Sequence, residues 1–239
     1  MNTQSDTYPD HQLLQYDKLR SRFAAGHNTY VSATPFPHII LDNFIRSDLT
    51  DTILTQLTQS VMDSLTNIPD LFKLSPTIRQ LIWELNSSTF IRALEGLTGL
   101  HNLIPDPALR GGGIQIGQNG QVPLLHATPM EENPYGLQCR LKLELYLNKD
   151  WKDEYEGHLE LWNCDLSACV KRIRPTAGRC VIFSLNTHTY HGQSLPFECP
   201  NDVTKKYIAV YYYTLDRNMG IASLADTQKL AESELPPPQ

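Results

Sequence analysis

The run Arg140-Leu141-Lys142-Leu143-Glu144-Leu145-Tyr146-Leu147 alternates without a break between apolar and other residues. A period of two is the signature of a β-strand, so Leu141, Leu143, Leu145 and Leu147 share one face and Arg140, Lys142, Glu144 and Tyr146 the other. The leucine face must meet a core, because slipping the register by one residue would expose all four leucines. The opposite face then holds a lysine and a glutamate two residues apart. On a solvated face they form a cross-face ion pair of little energetic weight. In a pocket they must pair or bind something, because isolated buried charge is costly. A shared low-dielectric pocket also pushes such pKa values toward neutrality, which suits proton transfer. A lone histidine such as His126 is, taken by itself, more often structural. The five cysteines (139, 164, 169, 180 and 199) are odd in number and lack a CxxC pair, so they read as reduced thiols rather than a zinc site or a disulfide framework.

Elements of ordinary globular composition must position these residues: of 239 residues, 41% are hydrophobic and 19% charged. The net charge of -6 argues against nucleic acid or an anionic membrane as partner. No apolar run approaches the roughly 20 residues of a membrane span. The start, MNTQSDTYPD, has neither the basic nor the apolar region of a secretory leader, and a cytoplasmic location is expected. Residues 1–12 are polar and predicted to be flexible. Helical spacing predicts a first helix over His11–Phe23, a second from a cap at Ser47-Asp48 through Leu49, Ile53, Leu54, Leu57 and Val61, and a third stretch over Ser75–Leu97 that breaks and re-caps at Asn86-Ser87-Ser88. His38–Asp42 reads as a short apolar strand. From residue 111 short strands follow: Gly111–Gly117, with Asn119-Gly120 supplying the positive φ values of a tight hairpin, then Leu141–Leu147, His158–Trp162, Lys171–Arg174, Arg179–Phe183 and Tyr207–Thr214. Helices first and strands after predict an α+β chain whose strands close as a two-sheet roll. One more helix is expected over Ile221–Glu232, before the closing prolines.

Several of these segments, taken in order, resemble the prolyl 4-hydroxylase-like group of the iron(II)/2-oxoglutarate oxygenases: PFPHIILDNFI (35–45), GGGIQIG (111–117) followed by His126, CRLKLELYLNKDW (139–151), EGHLELW (156–162), RCVIF (179–183), YHG (190–192) and KKYIAVYYYT (205–214). The resemblance covers about 35–216. It implies a double-stranded β-helix of the jelly-roll or cupin kind with packing helices before it: a helical part to about 110, a β-roll over 111–216 within one domain of 13–216, and a helix and tail over 217–239. It also implies an iron(II) ion held by two histidines and a carboxylate, with open positions for a keto acid and oxygen. His126 and His191 stand at the histidine positions; His188, three residues earlier, does not precede the glycine. Tyr146 matches a tyrosine that contacts 2-oxoglutarate.

Two departures from the family pattern stand out. The family aspartate falls at Thr128, whose neutral hydroxyl is a poor iron(II) ligand, so a halide, a carboxylate from elsewhere such as Glu144, or no iron at all would go with it. The family arginine that grips the far carboxylate of 2-oxoglutarate falls at Lys205, which can still act as a point charge, and a usually small residue two further on is Tyr207. The resemblance thus implies Fe(II) and 2-oxoglutarate as cofactors while these replacements put both in question. The leading expectation is an oxidoreductase (dioxygenase) with an altered site that hydroxylates or, with a halide at the vacated position, halogenates an amino-acid-like or peptidyl substrate. His126 and His191 would hold the metal, and Lys205, Tyr146 and Thr128 would form the cofactor site. An alternative is an iron- and 2-oxoglutarate-independent isomerase or epimerase in which Lys142, Glu144 and Tyr207, with Lys205 and His126, do acid–base work. A catalytically dead binding module is a third. Neither the substrate, set by loops such as Pro129–Leu137, nor the oligomeric state is legible.

Overall fold

The leucine–charge alternation forms the central strand of the molecule. In the computed structural model, which describes residues 12–61, 74–107, 109, 112–121, 125–127 and 137–215, β5 spans Leu137–Tyr146 and lies between β8 (Cys180–Ser184) and β10 (Lys205–Leu215). Among the described residues six strands make this sheet. β1 (His38–Leu41) pairs with β8 at one edge, and β2 (Ile104–Pro105) and β3 (Gly113–Gly117) both pair with β10 at the other. A second, four-stranded sheet runs in the order β4 (His126–Ala127), β9 (Tyr190–Gly192), β6 (Leu159–Trp162), β7 (Cys169–Ile173). From β3 onward the chain passes back and forth between the two sheets, which is the double-stranded β-helix expected of the sequence.

Each face of the large sheet has its own core. Leu141, Leu143, Leu145 and Leu147 are fully buried against the helices, together with Ile182, Val210 and Tyr212 from the flanking strands. At about 1.5–3 kcal/mol per buried leucine, this face alone fixes the register of β5. The helices are α1 (Tyr16–Val31), α2 (Ser47–Val61), α3 (Pro76–Leu85) and α4 (Ser88–Thr98). The break near Asn86 is real: the Ser75 and Ser87 hydroxyls accept from the amides of Ile78 at 3.3 Å and Phe90 at 3.2 Å, capping α3 and α4. Between the sheets lies a second cluster of Phe36, Leu159, Leu161, Ile173, Val181 and Phe183, which Tyr146 joins.

Three expectations shift. The first helix begins at Tyr16 and runs on to Val31. Before it, the amides of Leu13 and Leu14 donate to the Glu84 carboxylate at 2.9 and 2.8 Å, a tertiary contact invisible to local pattern. α2 includes Ser47, because the Arg46 carbonyl already accepts from the Thr50 amide. Asn119-Gly120 does form a turn, with Gly120 at φ 74, but no hairpin: β3 pairs with β10 and β4 with β9, so the two strands flanking the turn belong to different sheets. The expected flexible start (as far as His11), the loop after Ala127 up to Gly136 and the helix over Ile221–Glu232 lie outside the described residues.

Candidate active site

The face of β5 opposite the leucines looks toward the second sheet. Lys142 and Glu144 are buried there, 6% and 3% exposed, and their side chains pair at 2.7 Å. The other carboxylate oxygen of Glu144 accepts from the Tyr146 hydroxyl at 2.5 Å. Register extends the same face to the neighbours: Phe183 lies opposite Lys142 on β8, while Tyr211, Ala209 and Tyr207 of β10 lie opposite Lys142, Glu144 and Tyr146. Two residues before Tyr207 on the same face is Lys205, 3% exposed.

These charges are held in different ways. Burial opposes ionisation of Glu144, but the Lys142 and Lys205 ammoniums and the hydrogen bonds it accepts outweigh burial and hold its pKa at about 2. It is therefore a fixed carboxylate and a weak base at neutral pH. Burial would lower the pKa of Lys142, yet the Glu144 charge beside it raises the value above that of an ordinary lysine. Burial also raises that of Tyr146, as does the Glu144 carboxylate to which its hydroxyl donates. Lys205 differs: burial lowers its pKa to about 8, with Glu144 only partly opposing the drop. Among the described residues no oxygen accepts a hydrogen bond from its ammonium, which instead faces the rings of Tyr207 at 5.1 Å, Tyr146 at 5.5 Å and Phe197 at 5.7 Å.

Phe197 sits in this corner because two glycines leave it room. A Cβ on Gly117, which pairs with Lys205 across the β3–β10 ladder, would come within 2.6 Å of the ring, and so would one on Gly157. Asn148 fixes the approach of β10: its side chain donates to the Pro175 carbonyl at 2.8 Å and accepts from the Lys206 amide at 2.6 Å, setting where Lys205 and Tyr207 fall.

On the smaller sheet, the antiparallel ladder of β4 and β9 sets His126 directly opposite His191, and Leu161 of β6 pairs with His191 on its other side. His191 is buried, its ring 4.9 Å from that of Phe183. Phe183 also lies 6.0 Å from the Lys142 ammonium and so bridges the histidine strand and the charged strand.

The fold thus gathers His191, Lys142, Glu144, Tyr146, Lys205 and Tyr207 between the sheets and puts His126 in register with His191; Thr128 lies outside the described residues. Sequence reasoning passed over Phe183, Tyr211, Phe197 and Gln193. Period two along β8 and β10 would have found the first two. Phe197 and Gln193 lie beyond the strands, in a segment without a pattern. His38 was read only as part of a strand. It is buried opposite Phe183, with its Nδ1 2.9 Å from the Phe36 carbonyl oxygen and its pKa lowered, chiefly by burial.

The β4–β9 ladder puts the backbone of His126 in register with that of His191. Among the described residues no third carboxylate stands free beside them: Glu144, on the facing sheet, already has both oxygens engaged by Lys142 and Tyr146.

Residues 115–214 match the family model of the 2OG-Fe(II) oxygenase superfamily. Among solved structures, a prolyl 4-hydroxylase from Phytophthora capsici is similar with a TM-score of 0.60 at 14% identity, over 87% of this chain and 68% of that one. A prolyl hydroxylase from Trichoplax adhaerens, solved with a hypoxia inducible factor oxygen degradation domain peptide fragment, gives 0.54 at 18% identity over 87% and 94%. The non-heme alpha ketoglutarate dependent epimerase SnoN from nogalamycin biosynthesis gives 0.52 at 12% identity over 82% and 83%. No curated protein matches the chain by sequence. At these identities the structural likeness speaks for the fold. Among the described residues no helix is long and apolar enough to cross a membrane.

Proposed function

We propose, from the match of residues 115–214 to the 2OG-Fe(II) oxygenase superfamily model, that this chain is a non-haem iron oxidoreductase with an altered centre, hydroxylating or halogenating an amino-acid-like or peptidyl substrate. The observation that carries this reading is the pairing of His126 with His191 across from a buried, cationic inner face. His126 and His191 hold iron(II). Thr128 offers a neutral hydroxyl where a carboxylate would serve, which leaves that position to a small anion such as halide. Iron with a keto acid supplies oxygen activation at a C–H bond. Lys205 holds the far carboxylate of the keto acid as a point charge. Tyr146 and Tyr207 act through their rings, walling that end of the pocket, because the Tyr146 hydroxyl is already given to Glu144. Lys142 and Glu144 neutralise each other, so they position the pocket rather than transfer protons. A peptidyl substrate agrees with the peptide complex of the Trichoplax enzyme.

The test is metal analysis of protein purified with iron(II) and without chelator, for the parent chain, His191→Ala and Thr128→Asp. His191→Ala should weaken iron binding by more than about a hundredfold. Thr128→Asp should strengthen it and shift products from chlorinated to hydroxylated. Iron binding indifferent to both changes would refute the reading.

One observation favours a second reading. Lys205, with a pKa of about 8 and no acceptor, is the inner-face group best poised to exchange a proton near neutral pH. An isomerase or epimerase using Lys205 would turn over substrate in the presence of chelator, whereas the leading reading requires complete loss under that condition.

A further inference from the structure

Gln193 follows β9 directly, two residues beyond His191. It is 8% exposed, and its side-chain amide nitrogen, fully enclosed, has no hydrogen-bond partner among the described residues. Buried donors without acceptors are rare and costly, so one that persists points to a missing partner. Its position says what kind of partner. A Cβ on Gly157 would come within 2.6 Å of the Phe197 ring and 3.2 Å of the Gln193 amide nitrogen, so Gln193 and Phe197 border the same corner. The Lys205 ammonium, likewise without an acceptor, lies 5.7 Å from the centre of that ring. Two buried donors, one charged and one neutral, come from different sheets and flank one aromatic ring. Lys142 and Glu144 pair directly at 2.7 Å, so among the described residues Lys205 is the inner-face ammonium without an ion-pair contact.

We infer that Gln193 is a positioning residue for the co-acid: its side-chain amide and the Lys205 ammonium together hold the carboxylate of the acid that lies remote from the metal. The inference rests on the reading of the pocket proposed above and adds to it a specificity. Two donors in a fixed arrangement suit the two oxygens of a carboxylate, whereas a lone lysine is a point charge that takes any anion. The corner therefore favours an acid with a second carboxylate remote from the metal, and an acid with a single carboxylate gains nothing from it.

Calorimetric titration of the full chain with 2-oxoglutarate and with pyruvate, in anaerobic iron(II), tests this. The parent should bind 2-oxoglutarate more tightly than pyruvate. Gln193→Leu should weaken 2-oxoglutarate about tenfold, as expected for one hydrogen bond to a charged group, and change pyruvate by less than about twofold. Gln193→Met, closer in shape, should repeat that result if Gln193→Leu folds poorly. Equal weakening of both acids, unchanged 2-oxoglutarate affinity in a folded variant, or absence of 2-oxoglutarate binding by the parent would overturn the inference. An iron titration of the same samples tells the two proposals apart. Iron bound through His191 with no selectivity between the acids removes this inference alone; selectivity that depends on Gln193 without iron binding removes the metal reading alone.

Discussion

Replacing Lys205 by methionine should stabilise the protein in the absence of ligand. Lys205 is 3% exposed, and its pKa falls from 10.5 to about 8. At about 1.36 kcal/mol per pH unit, that drop corresponds to about 3 kcal/mol by which burial disfavours the ammonium. The three rings around it give back part of this, about 0.5–1 kcal/mol for each cation–π contact. Methionine fills similar volume and keeps the contact with those rings, so a net gain of up to about 1.5 kcal/mol is expected, or up to roughly 4 °C in Tm for a chain of this size. The pH dependence identifies the cause. Between pH 8 and 10.5 the unfolded lysine still holds its proton while the folded one has released it, so the parent gains stability as pH rises through that window. The advantage of Lys205→Met is therefore full below pH 8 and gone by about pH 10.5. The assay is thermal unfolding of both proteins at pH 7, 9 and 10.5. A variant less stable than the parent at pH 7, or a gap that stays constant with pH, would refute the reasoning. If Lys205 anchors a carboxylate, the same substitution abolishes the stabilisation that 2-oxoglutarate gives the parent.

Three further outcomes follow from the charged strand and its surroundings. Lys142→Met leaves Glu144 buried without its main partner and should cost about 3–5 kcal/mol, while the double change Lys142→Met/Glu144→Leu should lie within about 1 kcal/mol of the parent; urea unfolding of the cycle measures the coupling. Glu144, with its pKa lowered from 4.5 to about 2, contributes about 3 kcal/mol that is present above pH 4.5 and lost as pH falls through about 2, so Glu144→Gln should flatten that part of the acid-unfolding curve. Gly117→Ala puts a methyl 2.6 Å from the Phe197 ring and should destabilise by about 1–3 kcal/mol; a shift in the pKa of Lys205, read by NMR, would show that the ring has moved.

The sequence disclosed most where a single period carried the information. The alternation over 140–147 set which residues of β5 face the helices and which face the second sheet, and Ser75 and Ser87 marked two helix starts through chemistry local to each cap. What it could not disclose depends on distant pairing. That the turn at Asn119-Gly120 is not a hairpin follows from β3 pairing with β10, some ninety positions away in the chain. That Glu144 is a fixed anion rather than a base follows from the Tyr146 hydroxyl reaching back to it and from Lys205 arriving on another strand. The corner of Phe197, Gly117 and Gly157 joins three segments that share no pattern, so Gln193 and Phe197 gave no signal before the fold was known.

The pairing of β1 with β8, His38 opposite Phe183, also decides where this protein can be cut. The stretch that matches the oxygenase model, 115–214, contains both histidine positions and the whole charged strand. Yet a fragment trimmed to it would lose the helices that cover Leu141, Leu143, Leu145 and Leu147, and would leave the outer edge of β8 with bare amides and carbonyls beside that uncovered apolar face. Such an edge recruits strands from other molecules. The segment before the matched region is thus part of the roll's closure, and the smallest unit that keeps this edge covered begins upstream of His38.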